Sequence, residues 1–318
     1  MKVVLLDGAT MGADIDFSPI SDRFETVIYP RTAPEERAKR IADADAVVVN
    51  KVIIDREALE NAPNVKLVCV FAVGFNNIDV EYCKARGIRV RNVPAYCIDS
   101  VAQHTFALLF QLIESLSYYD GFVKDGSYTR SGLANHLGRP FREIAGKKWG
   151  IIGMGNIGRR VAHIASAFGA EVRYTSLSGA ARQEDFPAVE METLLRESDV
   201  ISIHAPLNDK TENIINEAAL AMMKPTSVIV NVGRGGIINS AHLAAAIDSG
   251  VIAGAAIDVF PTEPPAAEDP LLNVKRTERL VLTPHIAWSS VEARARCVSV
   301  TAENIAALEE GRGHNDVW

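Results

Sequence analysis

Three stretches of the chain place residues able to do acid–base and anion chemistry directly after apolar runs. An arginine stands among glycines in Asn231-Val232-Gly233-Arg234-Gly235-Gly236. A glutamate precedes a proline in Asp258-Val259-Phe260-Pro261-Thr262-Glu263-Pro264, and a histidine follows one in Thr283-Pro284-His285-Ile286-Ala287-Trp288. A guanidinium holds a carboxylate through two parallel hydrogen bonds and keeps its charge at any working pH. An imidazole titrates near neutrality and can deliver a proton, and an adjacent carboxylate raises its pKa and orients the ring. Arg234, Glu263 and His285 supply one of each, a set suited to hydride addition at the carbonyl of a 2-keto acid. Singly, each has a plainer account: Arg234 clasping a backbone carbonyl, Glu263 in a solvated turn, His285 as a satisfied interdomain residue. Their joint occurrence beyond three strand ends favours chemistry.

A second motif says what would bring the hydride. Trp149-Gly150-Ile151-Ile152 runs into Gly153-Met154-Gly155-Asn156-Ile157-Gly158, and an alanine-rich helical stretch follows. In a strand–turn–helix setting, Gly153 permits the tight turn, Gly155 lets backbone approach a pyrophosphate, and Gly158 lets the helix pack on the sheet. The amides opening that helix then face the phosphates. About twenty residues on, where an NAD site usually carries Asp or Glu for the adenosine ribose, the chain has Tyr174-Thr175-Ser176-Leu177-Ser178. No carboxylate there repels a 2′-phosphate, and Arg182 could reach one. Serines capping a solvent loop are the plainer account, so the cofactor is NAD or NADP.

These residues need a scaffold of alternating strands and helices, and the patterning provides it. Apolar runs at 3–7, 26–29, 46–50, 66–71 and 88–91 alternate with amphipathic stretches such as 34–42, which opens on Pro34. The pattern breaks at Asn92-Val93-Pro94. Residues 100–116 then read as a long apolar helix capped by Ser100, and 121–140 as a Gly/Arg-rich loop. A second series starts at Lys148, with strands expected at 149–152, 171–174, 200–203, 227–231, 253–258 and 280–282, and a last helix at about 290–310. The expected fold is α/β, with two Rossmann-like or flavodoxin-like domains of parallel strands and an active-site cleft between them. A discontinuous substrate-binding domain (1–98 and 288–318) would enclose a dinucleotide-binding one (99–287).

With 318 residues the chain has room for two such domains. A net charge of −7 argues against nucleic acid or an anionic membrane as the main partner. The opening Met1-Lys2-Val3-Val4-Leu5-Leu6-Asp7 reads as a strand rather than an export signal, and no apolar stretch reaches the roughly eighteen residues that span a bilayer. Cys69, Cys83, Cys97 and Cys297 lack metal or disulfide spacing and read as buried free thiols, which suits a reducing cytoplasm.

At this point the chain resembles the D-isomer-specific 2-hydroxyacid dehydrogenase family over essentially its whole length. The resemblance rests on the three stretches above, the glycine fingerprint, and Ala72-Val73-Gly74-Phe75-Asn76-Asn77-Ile78-Asp79. It implies catalytic roles for Arg234, Glu263 and His285, and a substrate carboxylate held by the amides of Val73 and Gly74 with Arg234. Val101 and His204-Ala205-Pro206 would line the nicotinamide and its ribose, with Asp258 near the carboxamide. Gly153, Gly155, Asn156, Ile157, Gly158, Thr175 and Ser176 would serve the rest of the cofactor, joined by Val232, Gly233, His285 and Ala287. The opening residues and the ending His285-Ile286-Ala287-Trp288 are most similar to glycerate dehydrogenases, also called hydroxypyruvate reductases. Members often form dimers through the region matching 126–140, so a homodimer is expected.

The other polar residues read as structural. His104 would be a packed or interface histidine, and His136, His163, His242 and His314 lack ligand spacing, so no metal is expected. Phe106, Leu109, Phe110 and Ile113 would be core or dimer surface, and Arg37, Lys39 and Arg40 a solvated helix face. Three alternatives stay open: a dinucleotide-sensing regulator on the same fold, a D-lactate or phosphoglycerate type of reductase, and an oxidiser of formate or phosphite. Glu263 argues against the formate type, which has no alkoxide to protonate.

Overall fold

Every apolar run read as a strand forms one, and all of them pair in parallel. The computed structural model describes residues 1–177 and 184–318; Ser178 and Arg182 therefore lie outside the described residues. The chain divides into two units, Met1–Cys97 with Trp288–Trp318, and Ile98–Ala287.

In the first unit, β1 (Lys2–Leu5), β2 (Glu25–Ile28), β3 (Ala46–Val49), β4 (Leu67–Val70) and β5 (Arg89–Arg91) form one sheet in the order β2-β1-β3-β4-β5. The interior strands β3 and β4 are buried along their whole length, which is why they read as unbroken apolar runs; the edge strand β2 is half-exposed. The helix Val80–Arg86 is capped by the Asp79 carboxylate at the Tyr82 amide and ends on Gly87, at φ +70°. The last helix, Val291–Glu309, is capped by Ser290 and packs on β4 of this unit. Arg91 is buried and gives its guanidinium to the carbonyls of Asn304 (2.5 Å) and Arg312 (2.9 Å) and to Asp316 (3.0 Å), tying β5 to the end of the chain.

In the second unit, β6 (Lys148–Ile152), β7 (Glu171–Thr175), β8 (Val200–Ile203), β9 (Val228–Asn231), β10 (Gly254–Ile257) and β11 (Leu280–Leu282) follow the order β11-β10-β9-β8-β6-β7. The apolar stripe of the helix Ile98–Ile113 turns inward: Phe106 packs on the buried Trp149 of β6 (5.0 Å) and on Phe168 (5.6 Å). In both units the chain reverses its winding beside its first strand, between β1 and β3 and between β6 and β8. Ligand crevices of open parallel sheets form at such points, beyond the strands' carboxyl ends.

The structure corrects three local expectations. Residues 121–140 are not one loop: the helix Leu116–Lys124 runs into them and Ser127–Ser131 forms another. Gly126 (φ +78°) and Gly132 (φ +66°), which suggested a loop, sit at helix boundaries, and an aromatic shelf steadies the segment, with His136 stacked on Phe122 at 3.9 Å. Ser100 is not a cap. It lies inside the first turn of a helix that starts at Ile98, and its hydroxyl donates to the Ala287 carbonyl (2.7 Å). Of the basic trio only Lys39 is exposed; Arg37 is buried against the carbonyls of Pro34 and Ile53, and Arg40 lies over the Tyr29 ring at 4.1 Å.

All four cysteines are buried free thiols, and burial pushes Cys69 up to about 12 and Cys83 to about 11. Among the described residues no helix is long and apolar enough to cross a membrane, and no three His, Cys, Asp or Glu side chains gather as a metal site would need.

Candidate active site

The turn after β6 is built for close approach. Gly153 has φ +97°, and a Cβ there would stand 2.7 Å from the Ala205 amide; a Cβ on Gly158 would meet the Gly153 carbonyl at 2.2 Å. Both glycines are therefore required by the protein's own packing. Gly155 differs, since a Cβ there would meet nothing within 4 Å. Among the described residues no side chain caps the helix Asn156–Ala167, which leaves the amides of its first turn for a ligand. Asn156 is exposed and Ile157 half-buried. These residues fit a dinucleotide.

Around that turn, Thr175 is buried at the end of β7 and its carbonyl accepts the Gly153 amide (3.0 Å), while Ser176 is half-buried. Arg159, in the first helical turn, is held by both oxygens of Glu184 (2.8 Å each). Beyond β8, the Trp149 indole donates to the Ser202 hydroxyl (2.9 Å), which lies 3.0 Å from Nε2 of His204. Burial pushes His204 down to about 3, so its ring is neutral, and its buried Nδ1 has no partner among the described residues. Ala205 is buried, Pro206 exposed, and Val101 buried on the helix Ile98–Ile113.

The loops after β9, β10 and β11 interlock. Fully buried Asn231 accepts the Gly233 amide (3.0 Å) and donates to the Arg234 carbonyl (3.0 Å), which pins the turn. Val232 is buried, and Gly233 lies so close to the Ala205 carbonyl that a Cβ would stand 3.0 Å away. A Cβ on Gly235 would come within 2.0 Å of the Phe260 backbone, so the arginine turn abuts the next loop. That loop bends until Oε1 of Glu263 accepts the Phe260 amide (3.1 Å), leaving Oε2 at 2.6 Å from Nδ1 of His285. Nε2 of His285 has no partner among the described residues. The Arg234 guanidinium has one, the neighbouring Gly233 carbonyl (2.8 Å), and no carboxylate. A half-buried cation with no counter-ion among the described residues, and an oriented imidazole with one nitrogen unpartnered among them, are what an anionic, proton-accepting substrate would use.

Asp258 is tied to the loop that carries His285. Its side chain is fully buried, with Oδ1 accepting from the Thr283 hydroxyl (2.6 Å) and the Ile286 amide (2.9 Å), and Oδ2 from the buried Ala287 amide (2.9 Å). Burial by itself would raise this carboxyl, but hydrogen bonds from His104, Thr283 and the two amides outweigh it and hold the group below its ordinary range. A buried carboxylate must satisfy its acceptors, and the loop bearing His285 is what satisfies them. His104 belongs to the same cluster, 3.1 Å from the Thr283 hydroxyl and 3.5 Å from Oδ1 of Asp258, rather than being merely packed. Sequence reasoning did not single out Thr283, and it read His104 as packed without its polar partners. The one available signal was a threonine two residues before the histidine.

In the first unit, Val73 is exposed and its carbonyl accepts from Asn92 (2.7 Å), while Asn77 donates to the Val52 carbonyl (2.9 Å), which braces the loop. The amides of Val73 and Gly74 have no partner among the described residues.

The fold and the glycine turn define a dinucleotide-binding protein of the parallel α/β class. Residues 106–287 match the family model for the NAD binding domain of D-isomer specific 2-hydroxyacid dehydrogenases. A hydroxypyruvate reductase of Blautia hydrogenotrophica is 36% identical across 100% of this chain and 99% of its own. Two solved structures superpose on the whole fold. One is an NADPH-dependent glyoxylate/hydroxypyruvate reductase from Sinorhizobium meliloti (26% identity, 99% and 97% coverage, TM-score 0.85). The other is a D-lactate dehydrogenase from Aquifex aeolicus in complex with NAD and lactic acid (27%, 98% and 96%, TM-score 0.84). The chain belongs to the D-isomer-specific 2-hydroxyacid dehydrogenase family, and it is an oxidoreductase acting on CH–OH donors with a nicotinamide dinucleotide.

Proposed function

We propose that the protein reduces hydroxypyruvate or glyoxylate to the corresponding hydroxy acid, with Arg234, Glu263 and His285 as its catalytic residues. The observation that carries this is the Glu263–His285 pair at 2.6 Å, with Nε2 of His285 unpartnered and no carboxylate on the Arg234 guanidinium among the described residues. NADH or NADPH supplies the hydride when bound, and Gly153, Gly155, Asn156, Ile157 and Gly158 are assigned to its phosphates. Arg234 pairs with the substrate carboxylate and polarises the adjacent carbonyl. His285 gives its Nε2 proton to the carbonyl oxygen as the carbon gains the hydride, so the keto acid takes up one hydride and one proton. Glu263 accepts from Nδ1 and thereby fixes which nitrogen faces the substrate. The partnerless amides of Val73 and Gly74 are assigned to the substrate carboxylate on the strength of their motif. The names of the relatives support the substrate class.

The reading includes a two-fold homodimer in the cytoplasm. Leu133, Leu137 and Phe141 are 62%, 86% and 60% exposed on one segment, an apolar surface that a second copy would cover, and free thiols suit a reducing compartment. The test follows absorbance at 340 nm, crossing both cofactors with hydroxypyruvate, glyoxylate and pyruvate. His285→Ala is expected to lower kcat by about 10²–10⁴-fold, the usual range for a general acid, with dinucleotide Kd unchanged. Wild-type turnover in that variant would remove the assignment.

A further inference from the structure

His285 sits in the left-handed region at φ +55°, which a non-glycine residue keeps only when its surroundings impose it. Among the described residues the ring has a single contact of this kind, with Glu263, whereas the backbone on either side is held several times. The constraint comes from the flanks. The His285 amide donates to the Asp258 carbonyl (2.7 Å), and Thr283, Ile286 and Ala287 all donate to the Asp258 carboxylate. The Ala287 carbonyl is taken by Ser100 (2.7 Å). Proton counting orders the remaining contacts. The Thr283 hydroxyl gives its single proton to Asp258, so its lone pair can only accept from Nε2 of His104, 3.1 Å away.

We propose that Thr283 is a positioning residue for the reduction: its hydroxyl, seated between His104 and Asp258, sets the backbone of residues 283–287 so that His285 meets Glu263. The inference rests on His285 being the proton donor. It also gives Asp258 a role in holding the loop. Loss of the hydroxyl removes the bond that a side chain of this loop donates to Asp258, leaving three from its amides, and a misplacement of about 1 Å at a reacting group can cost on the order of 10²-fold in rate.

The test compares Thr283→Val, which keeps the shape and loses the hydroxyl, with Thr283→Ser, which keeps the hydroxyl. Expected are a kcat lower by about 10–100-fold for Thr283→Val, the cost of a small misplacement at a reacting group, keto-acid KM and dinucleotide Kd within about twofold, and most of the rate restored in Thr283→Ser. In the resting protein labelled with ¹⁵N-histidine, the Nδ1–H proton of His285, assigned by its absence in His285→Ala, should be observed in wild type and Thr283→Ser and lost or shifted upfield in Thr283→Val. If Thr283→Val does not fold, Thr283→Ala takes its place under the same criteria. An unaltered Nδ1–H signal with unaltered kcat overturns the proposal. So does an equal further loss when Thr283→Val is placed on His285→Ala, because the residue would then act elsewhere. Wild-type activity in His285→Ala alone would instead defeat the proton-donor reading, whatever Thr283 does.

Discussion

Both units wind their sheets in the same order about their first strand, yet the two reversal points are filled in opposite ways. After β1 the chain reads Leu6-Asp7-Gly8, and the Asp7 carboxylate accepts the amides of Asn50 (2.9 Å), Lys51 (2.6 Å) and Val52 (3.0 Å) beyond β3. That cluster of amides is an anion site already occupied by the protein's own side chain. After β6 the corresponding positions are Gly153, Met154 and Gly155, with no carboxylate, and among the described residues no side chain caps the amides beyond them. One architecture thus gives a sealed crevice and an open one. The residue at the strand end decides which, not the fold.

Closing the open crevice should have the largest effect. Gly155 has φ −85° and free space for a Cβ, so Gly155→Asp fits without strain and caps the helix behind it. Dinucleotide affinity should fall on the order of 100-fold by titration calorimetry, from lost phosphate contacts and like-charge repulsion, while the melting temperature holds or rises. Retained affinity would mean that the phosphates do not use this turn.

Opening the sealed crevice comes next. Asp7→Ala leaves three amides without an acceptor, and urea unfolding should show a loss of about 2–4 kcal/mol. Millimolar sulfate should return more stability to this variant than to wild type, because the vacated amides would accept an anion. A loss under about 0.5 kcal/mol, a typical surface effect, would deny the seal.

The smallest effect is in pH dependence, and its sign separates the two buried aspartates. Burial outweighs the amides of Lys51, Asn50 and Val52 and raises Asp7 above its ordinary 3.8, whereas Asp258 is held below it. A raised carboxyl contributes fully below its unfolded value and loses that contribution as pH rises through the folded one. A depressed carboxyl contributes above its unfolded value and loses it as pH falls through the folded one. The stability gap between wild type and Asp7→Asn should therefore widen as pH drops toward 3.8, and that for Asp258→Asn should narrow below 3.8. Parallel slopes in the two series would contradict the assignment.

Much of this was legible in the residues. Period and punctuation located the strands, most plainly the interior ones, because strands buried on both faces have no choice but to be apolar, and the glycine spacing located the turn. Arg234, Glu263 and His285 were legible from residue type beyond three successive strands, and Glu263 does meet His285. The helices after residue 116 were less legible, since glycines at helix ends resemble glycines in loops.

The sequence by itself determined the strand pattern, the glycine turn and the chemical types at the strand ends, for these follow from local sterics and apolar periodicity. Tertiary structure alone decided that Asp7 seals its crevice, that Asp258 turns to the loop of His285, and that His104 joins Thr283, residues 179 positions apart. A buried polar group must find its partner wherever the folded chain brings one, and separation along the sequence carries no record of that choice.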